Sequence, residues 1–159
     1  MIMKNINIPK LLISIFTPLL AGFLGSYFTT PNIPTWYASL QKPFFSPPNW
    51  LFGPVWTILY LLMGISFYLI WNSSNSKANL SAIRLFIAQL VLNSLWSILF
   101  FGIKNPLLAF LEIIILWIFI FLTIKKFSQI NQAASYLLYP YLAWVTFASF
   151  LNFAIVLLN

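Results

Sequence analysis

Five long apolar runs, separated by short polar stretches, constrain this chain more than any other feature. They cover about 11–30, 51–71, 81–102, 106–124 and 133–158. Each is close to the roughly 20 residues that a helix needs to cross a hydrocarbon core of about 30 Å. Membrane strands need only about 10 residues and alternate in polarity, and the runs show no such alternation. Only 6% of the 159 residues are charged, against about 25% in an ordinary soluble domain. A water-facing surface cannot be built from that. The expectation is an all-α, multi-pass membrane protein, a single five-transmembrane-helix bundle over residues 1–159.

The first run follows Lys4 and Lys10 and so has the flanks of a signal peptide. It exceeds the roughly 7–15 apolar residues of such a segment, and no Ala-x-Ala cleavage pattern follows. It is read as a helix, with a kink expected at Pro18. The small pairs Ala21/Gly25 and Gly22/Ser26 suit close helix packing, either within the bundle or against a second copy.

A net charge of +7 in a soluble protein would suggest nucleic acid. Here the basic residues stand singly between apolar runs, which is the mark of membrane topology instead. The tail and the two connections on its side carry Lys4, Lys10, Lys77, Arg84, Lys125 and Lys126, and the other side carries Lys42 and Lys104. The positive-inside rule then puts the N-terminus in the cytoplasm of a bacterial-type cell.

Several kinds of chemistry are closed to this composition. Without cysteine or histidine there is no disulfide framework, thiolate, imidazole metal ligand or histidine base, and a single acid excludes a catalytic carboxylate pair. No metal site is expected. Glu112, that acid, falls inside the fourth run, where a charge costs on the order of 3 kcal/mol unless it is paired or protonated. It is either a neutral group bonded to a neighbouring helix or a functional one, such as a ligand contact or a proton relay.

The connection 31–50 is long. Pro31, Pro34, Pro43, Pro47 and Pro48 stiffen it, and Trp36, Tyr37, Phe44, Phe45 and Trp50 make it too apolar to extend into water. It reads equally as an aromatic belt at the interface or as a lid over a cavity. On the third run Gln89, Asn93 and Ser97 share a face, with Trp96 beside it. Trp56, Tyr60, Met63 and Phe67 repeat at helical spacing on the second run, as do Trp144, Phe147, Ala148 and Leu151 on the fifth. Interhelical hydrogen bonds and core packing account for such stripes. A flat aromatic ligand stacked among the tryptophans accounts for them as well.

The run Trp36-Tyr37-Ala38-Ser39-Leu40-Gln41-Lys42-Pro43-Phe44-Phe45-Ser46-Pro47-Pro48 resembles the W-Y-x-x-L-x-K-P-x-W-x-P-P loop of the tryptophan-rich sensory protein / translocator protein (peripheral benzodiazepine receptor) family, TspO/MBR. Gly53-Pro54-Val55-Trp56 and Leu59-Tyr60-Leu61-Leu62-Met63-Gly64 continue the likeness. So do Asn93-Ser94-Leu95-Trp96 with Phe100-Phe101, and Ala109-Phe110-Leu111-Glu112 with Leu116-Trp117. Pro140-Tyr141-Leu142-Ala143-Trp144-Val145-Thr146-Phe147-Ala148 and Leu151-Asn152 complete it, in order, over about 11–158.

The resemblance implies a five-helix bundle, often a homodimer, with a pocket closed by the first loop. It implies porphyrins such as protoporphyrin IX as ligands, together with isoquinoline-carboxamide and benzodiazepine-type drugs and, in animals, cholesterol. Carried onto this sequence, the ligand-binding residues are Tyr37, Pro47, Trp56, Tyr60, Asn93, Trp96, Trp144 and Ala148. Some bacterial members promote light-dependent porphyrin breakdown, and Trp56 and Trp144 are the indoles placed for that redox chemistry.

Phe45 stands where the family has a loop tryptophan, which removes one stacking partner. Phe153 and a tail without a basic residue break the family's cholesterol pattern. The third run lacks a small-xxx-small pair for a dimer face. With His and Cys absent as haem ligands, a metal-free porphyrin held by stacking is expected, its propionates near Lys42. Three functions stay open: a tetrapyrrole-binding membrane sensor or regulator, a small transporter with Glu112 as its sole coupling candidate, and a porphyrin-degrading protein. The odd helix number and the lack of internal repeats weigh against a transporter.

Overall fold

The computed structural model describes residues 6–73 and 76–159, with the side chains of 76–78 left out. Lys4 and the Lys77 side chain, both used above to infer topology, lie outside the described residues. Among the described residues, five helical segments are long and apolar enough to cross a membrane: Ile8–Tyr37, Asn49–Trp71, Asn79–Gly102, Pro106–Ser128 and Gln132–Leu158. The regular elements are α1 (Ile8–Thr29), α2 (Phe52–Trp71), α3 (Ser76–Ser97), α4 (Pro106–Ser128), the short α5 (Gln132–Tyr136) and α6 (Tyr139–Leu158). The described residues contain no strand.

Helix starts are set by local chemistry. The Asn7, Asn105 and Asn131 side chains each accept a hydrogen bond from the backbone N–H three residues on, that of Lys10, Leu108 and Ala134 respectively. Those bonds satisfy donors that helix geometry orphans and that lipid cannot serve. Proline at Pro9 and Pro106 fits the first turns, where its missing N–H costs nothing.

The structure differs from the sequence reading at two boundaries. Residues 31–50 do not form one loop, because winding continues past α1 through a 3₁₀ turn (Thr30–Asn32) and a π turn (Ile33–Tyr37). Pro31 and Pro34 each fall in the first turn of one of these short pieces, where a proline is tolerated rather than helix-breaking. The connection between these turns and Asn49 is therefore 38–48, with Ala38 and Ser39 still helical. The fifth crossing breaks at Leu137 and Leu138, just ahead of Pro140, so α5 and α6 are separate helices.

Small residues on α1 are used inside the bundle. Ala21 and Gly25 are buried, Ser94 Oγ donates to the Ala21 carbonyl at 2.9 Å, and a Cβ on Gly25 would lie 3.0 Å from Ser97 Oγ. A Cβ on Gly22 would collide with the Tyr60 ring. Pro18 leaves the Ser14 carbonyl without its helical N–H, yet α1 passes through it as one helix. Gly64 of α2 sits against that turn, where a Cβ would lie 2.7 Å from Ile15 Cα and 3.0 Å from the Ser14 oxygen. Thus α1 packs on α2 and α3, while α4 packs on α3 and α6.

Candidate functional site

A cavity of about 600 Å³ lies among α1, α2, α3 and α6, inside the range of about 300–1,000 Å³ usual for small-molecule sites. Helical periodicity builds its wall. Trp56 and Tyr60 fall one turn apart on α2, Asn93, Trp96 and Ser97 share a face of α3, and Trp144, Ala148 and Asn152 repeat every turn on α6. Tyr37 reaches the wall from the π turn. All the residues singled out for ligand binding meet here except Pro47. That proline sits in the stretch leading to the turn Asn49–Leu51, where Asn49 and Trp50, not Pro47, touch the cavity. Residues 38–48 contribute nothing to the lining, so the loop's middle is not the cavity's wall.

Aromatic geometry fixes the tryptophans. Trp56 stacks on Tyr60 with centroids 5.4 Å apart and meets Tyr141 edge-on at 6.2 Å. Trp144 is held between Phe52 at 6.1 Å and Phe147 at 5.5 Å. Trp96 stacks on Phe100 at 5.1 Å, and its indole N–H donates to Asn152 Oδ1 at 3.0 Å. Asn152 in turn donates to the Pro106 carbonyl at 2.8 Å, tying α6 to the start of α4. The indole N–H groups of Trp56 and Trp144 donate to no described residue.

Behind the aromatics runs a chain of buried hydrogen bonds. Tyr60 Oη donates to Asn93 Oδ1 at 2.6 Å, Asn93 Nδ2 donates to Tyr141 Oη at 3.1 Å, and Tyr141 Oη donates to Gln89 Oε1 at 2.8 Å. The polar stripe on α3 thus points inward, as lipid requires, and it ties α2, α3 and α6 together. The sequence reading passes over Tyr141 and Asn152 as site residues. Their signal is positional: Tyr141 lies three residues before Trp144 and Asn152 four after Ala148, on the same face.

No charged side chain lines the cavity among the described residues. Glu112 is buried on α4, away from the lining, and neither carboxylate oxygen has a hydrogen-bond partner among the described residues. Met63 is fully buried and also off the wall. Lys42 Nζ sits 4.8 Å over the Tyr37 ring, an arrangement worth about 0.5–1 kcal/mol at an exposed site. The nearest loop cation is therefore one ring away from the cavity.

The order of these features has a counterpart among known proteins, since the TspO/MBR family matches residues 14–158. The chain belongs to the TspO/MBR family. It is 53% identical over 158 residues to the tryptophan-rich protein TspO of Archaeoglobus fulgidus, covering 96% of this chain and 99% of that one. It is similar to the translocator protein of Bos taurus at 40% identity, over 86% of this chain and 82% of the other. The tryptophan-rich sensory protein of Cereibacter sphaeroides shares 37% identity over 78% of this chain and 77% of its own. Family membership and five crossing helices make this TspO/MBR member a multi-pass membrane protein of the sensor and translocator kind.

Proposed function

We propose that this chain is a membrane sensor or regulator that binds a metal-free porphyrin, or a similar flat aromatic molecule, inside its helix bundle. The observation that carries this reading is the convergence of Trp56, Trp96 and Trp144, from three helices, on one uncharged cavity of about 600 Å³. Indole faces stack on a conjugated macrocycle, and Trp56 and Trp144 keep free N–H donors to orient it. Its carboxylates would leave the uncharged interior toward Lys42, beside Tyr37. In this reading the N-terminus faces the cytoplasm of a bacterial cell, the side that gathers Lys10, Arg84, Lys125 and Lys126.

Titration of the detergent-solubilised protein with protoporphyrin IX in the dark, followed by tryptophan quenching, tests the proposal. Saturable quenching is expected. Trp56→Phe and Trp144→Phe should each weaken binding roughly two- to tenfold, the loss of about 0.5–1.5 kcal/mol of aromatic contact. Quenching that does not saturate, or that both variants leave untouched, overturns it. The easily oxidised indoles at the wall also support a light-driven degrading activity. Absorbance loss under illumination beyond a protein-free control, reduced in the same two variants, is the result that reading requires.

A further inference from the structure

We propose that the groove between α3 and α4 on the outer face of the bundle is a binding site for the head group of an anionic phospholipid, with Arg84 as its anchor. This groove is separate from the ligand cavity. It has a volume of about 470 Å³ and is lined by Leu80, Ser81, Arg84, Leu85, Ala88 and Phe119. Arg84 lies about two turns into α3, roughly 12 Å along its axis, and Phe119 lies at a matching distance from the end of α4. The two helices are antiparallel neighbours, so the groove sits at membrane depth just inside one end of the bundle.

The charge balance identifies the occupant. Arg84 is exposed, and no described residue pairs with it. The chain's only acid, Glu112, is buried elsewhere. A guanidinium at this depth cannot be left without an anion or water, because a bare charge in lipid costs several kcal/mol. Its planar fork suits a phosphate bidentately, with the Ser81 hydroxyl available as a further donor. Leu80, Leu85, Ala88 and Phe119 supply an apolar floor on which acyl chains can lie. Lys125 and Lys126, in the last turn of α4, add positive potential at the same end. A basic groove between crossing helices is the arrangement that selects anionic lipids from a mixed bilayer. A free phosphate ion would gain the guanidinium but nothing from the apolar floor.

The test uses the full chain in nanodiscs of phosphatidylcholine with a minor share of phosphatidylglycerol, with retained lipid identified by native mass spectrometry after gentle release. Wild type should keep phosphatidylglycerol over phosphatidylcholine. Arg84→Gln should cut that preference about fivefold, the factor that one basic residue near an anionic surface supplies, while Arg84→Lys keeps most of it. Ser81→Trp, which fills the groove without changing charge, should lower retention too and guards against a general charge effect. Lys104→Gln, at the opposite end, should leave it unchanged. Equal preference in wild type and Arg84→Gln overturns the proposal. So does loss of the bound lipid on adding inorganic phosphate at low millimolar concentration, which would assign Arg84 to a free anion.

Discussion

Asn93 serves both ends of the buried polar chain, accepting from Tyr60 and donating to Tyr141. Replacing it by leucine removes two bonds and strands the Tyr60 hydroxyl beside an apolar wall. An average interhelical bond in a membrane protein is worth only about 0.6 kcal/mol, but an orphaned buried donor costs about 1–3 kcal/mol. Asn93→Leu is therefore expected to destabilise by the larger amount. Adding Tyr60→Phe should recover part of the loss, because the stranded hydroxyl is then gone. Thermal unfolding of the single and double variants in detergent measures both effects. Gly22 matters for a different reason. Any Cβ there meets the Tyr60 ring, so Gly22→Ala should cost about 1–3 kcal/mol and weaken porphyrin binding by pushing Tyr60 into the cavity. Tyr60→Leu in the same chain should restore stability, but not binding.

Among the elements, the connection 38–48 is held at a few points along its length. The backbone of Gln41 donates to Asn159 Oδ1 at 3.0 Å and accepts from Asn159 Nδ2 at 3.0 Å, which pins the loop to the end of α6. Phe45 touches Phe147 at 6.3 Å, while Phe44 is fully exposed. Asn159→Ala should make cleavage within 38–48 several-fold faster under limited proteolysis, with little change in unfolding, since two exposed bonds contribute at the low end of about 0.5–1.5 kcal/mol each. Cleavage at the wild-type rate would show that the aromatic contacts alone hold the loop. The crossing helices were legible from hydropathy, because lipid leaves the backbone no alternative to internal hydrogen bonding. The 30–37 extension was not, because prolines at Pro31 and Pro34 carry the same signal in a turn and in the first residues of a short helix. Pro47 shares that ambiguity: its motif placed it in the loop, and only three-dimensional packing put it off the wall.

Among the described residues, four crossing segments surround a space and a fifth, α4, stands behind them, since no lining residue comes from α4. Tyr37, Trp56, Tyr60, Asn93, Trp96, Trp144 and Ala148 were readable as a group because helical spacing aligned them and the family motif supplied the pairing between helices. Periodicity alone gives no such pairing, which is why the sequence carries Tyr141 and Asn152 as motif residues without marking their place in the buried hydrogen-bond chain and at the wall. The position of Glu112 on α4, buried and off the cavity wall, makes it the residue on which to test the rival functions. Glu112→Gln should leave both porphyrin quenching and the passage of a labelled porphyrin across proteoliposomes unchanged. Abolished passage would instead favour proton-coupled transport. The buttress role of α4 has a further consequence for divergence. Substitutions on its lipid face, at Ile114, Ile115 or Ile118, are invisible to whatever occupies the interior. Two relatives that differ only there would keep one and the same cavity while suiting bilayers of different thickness and lipid content.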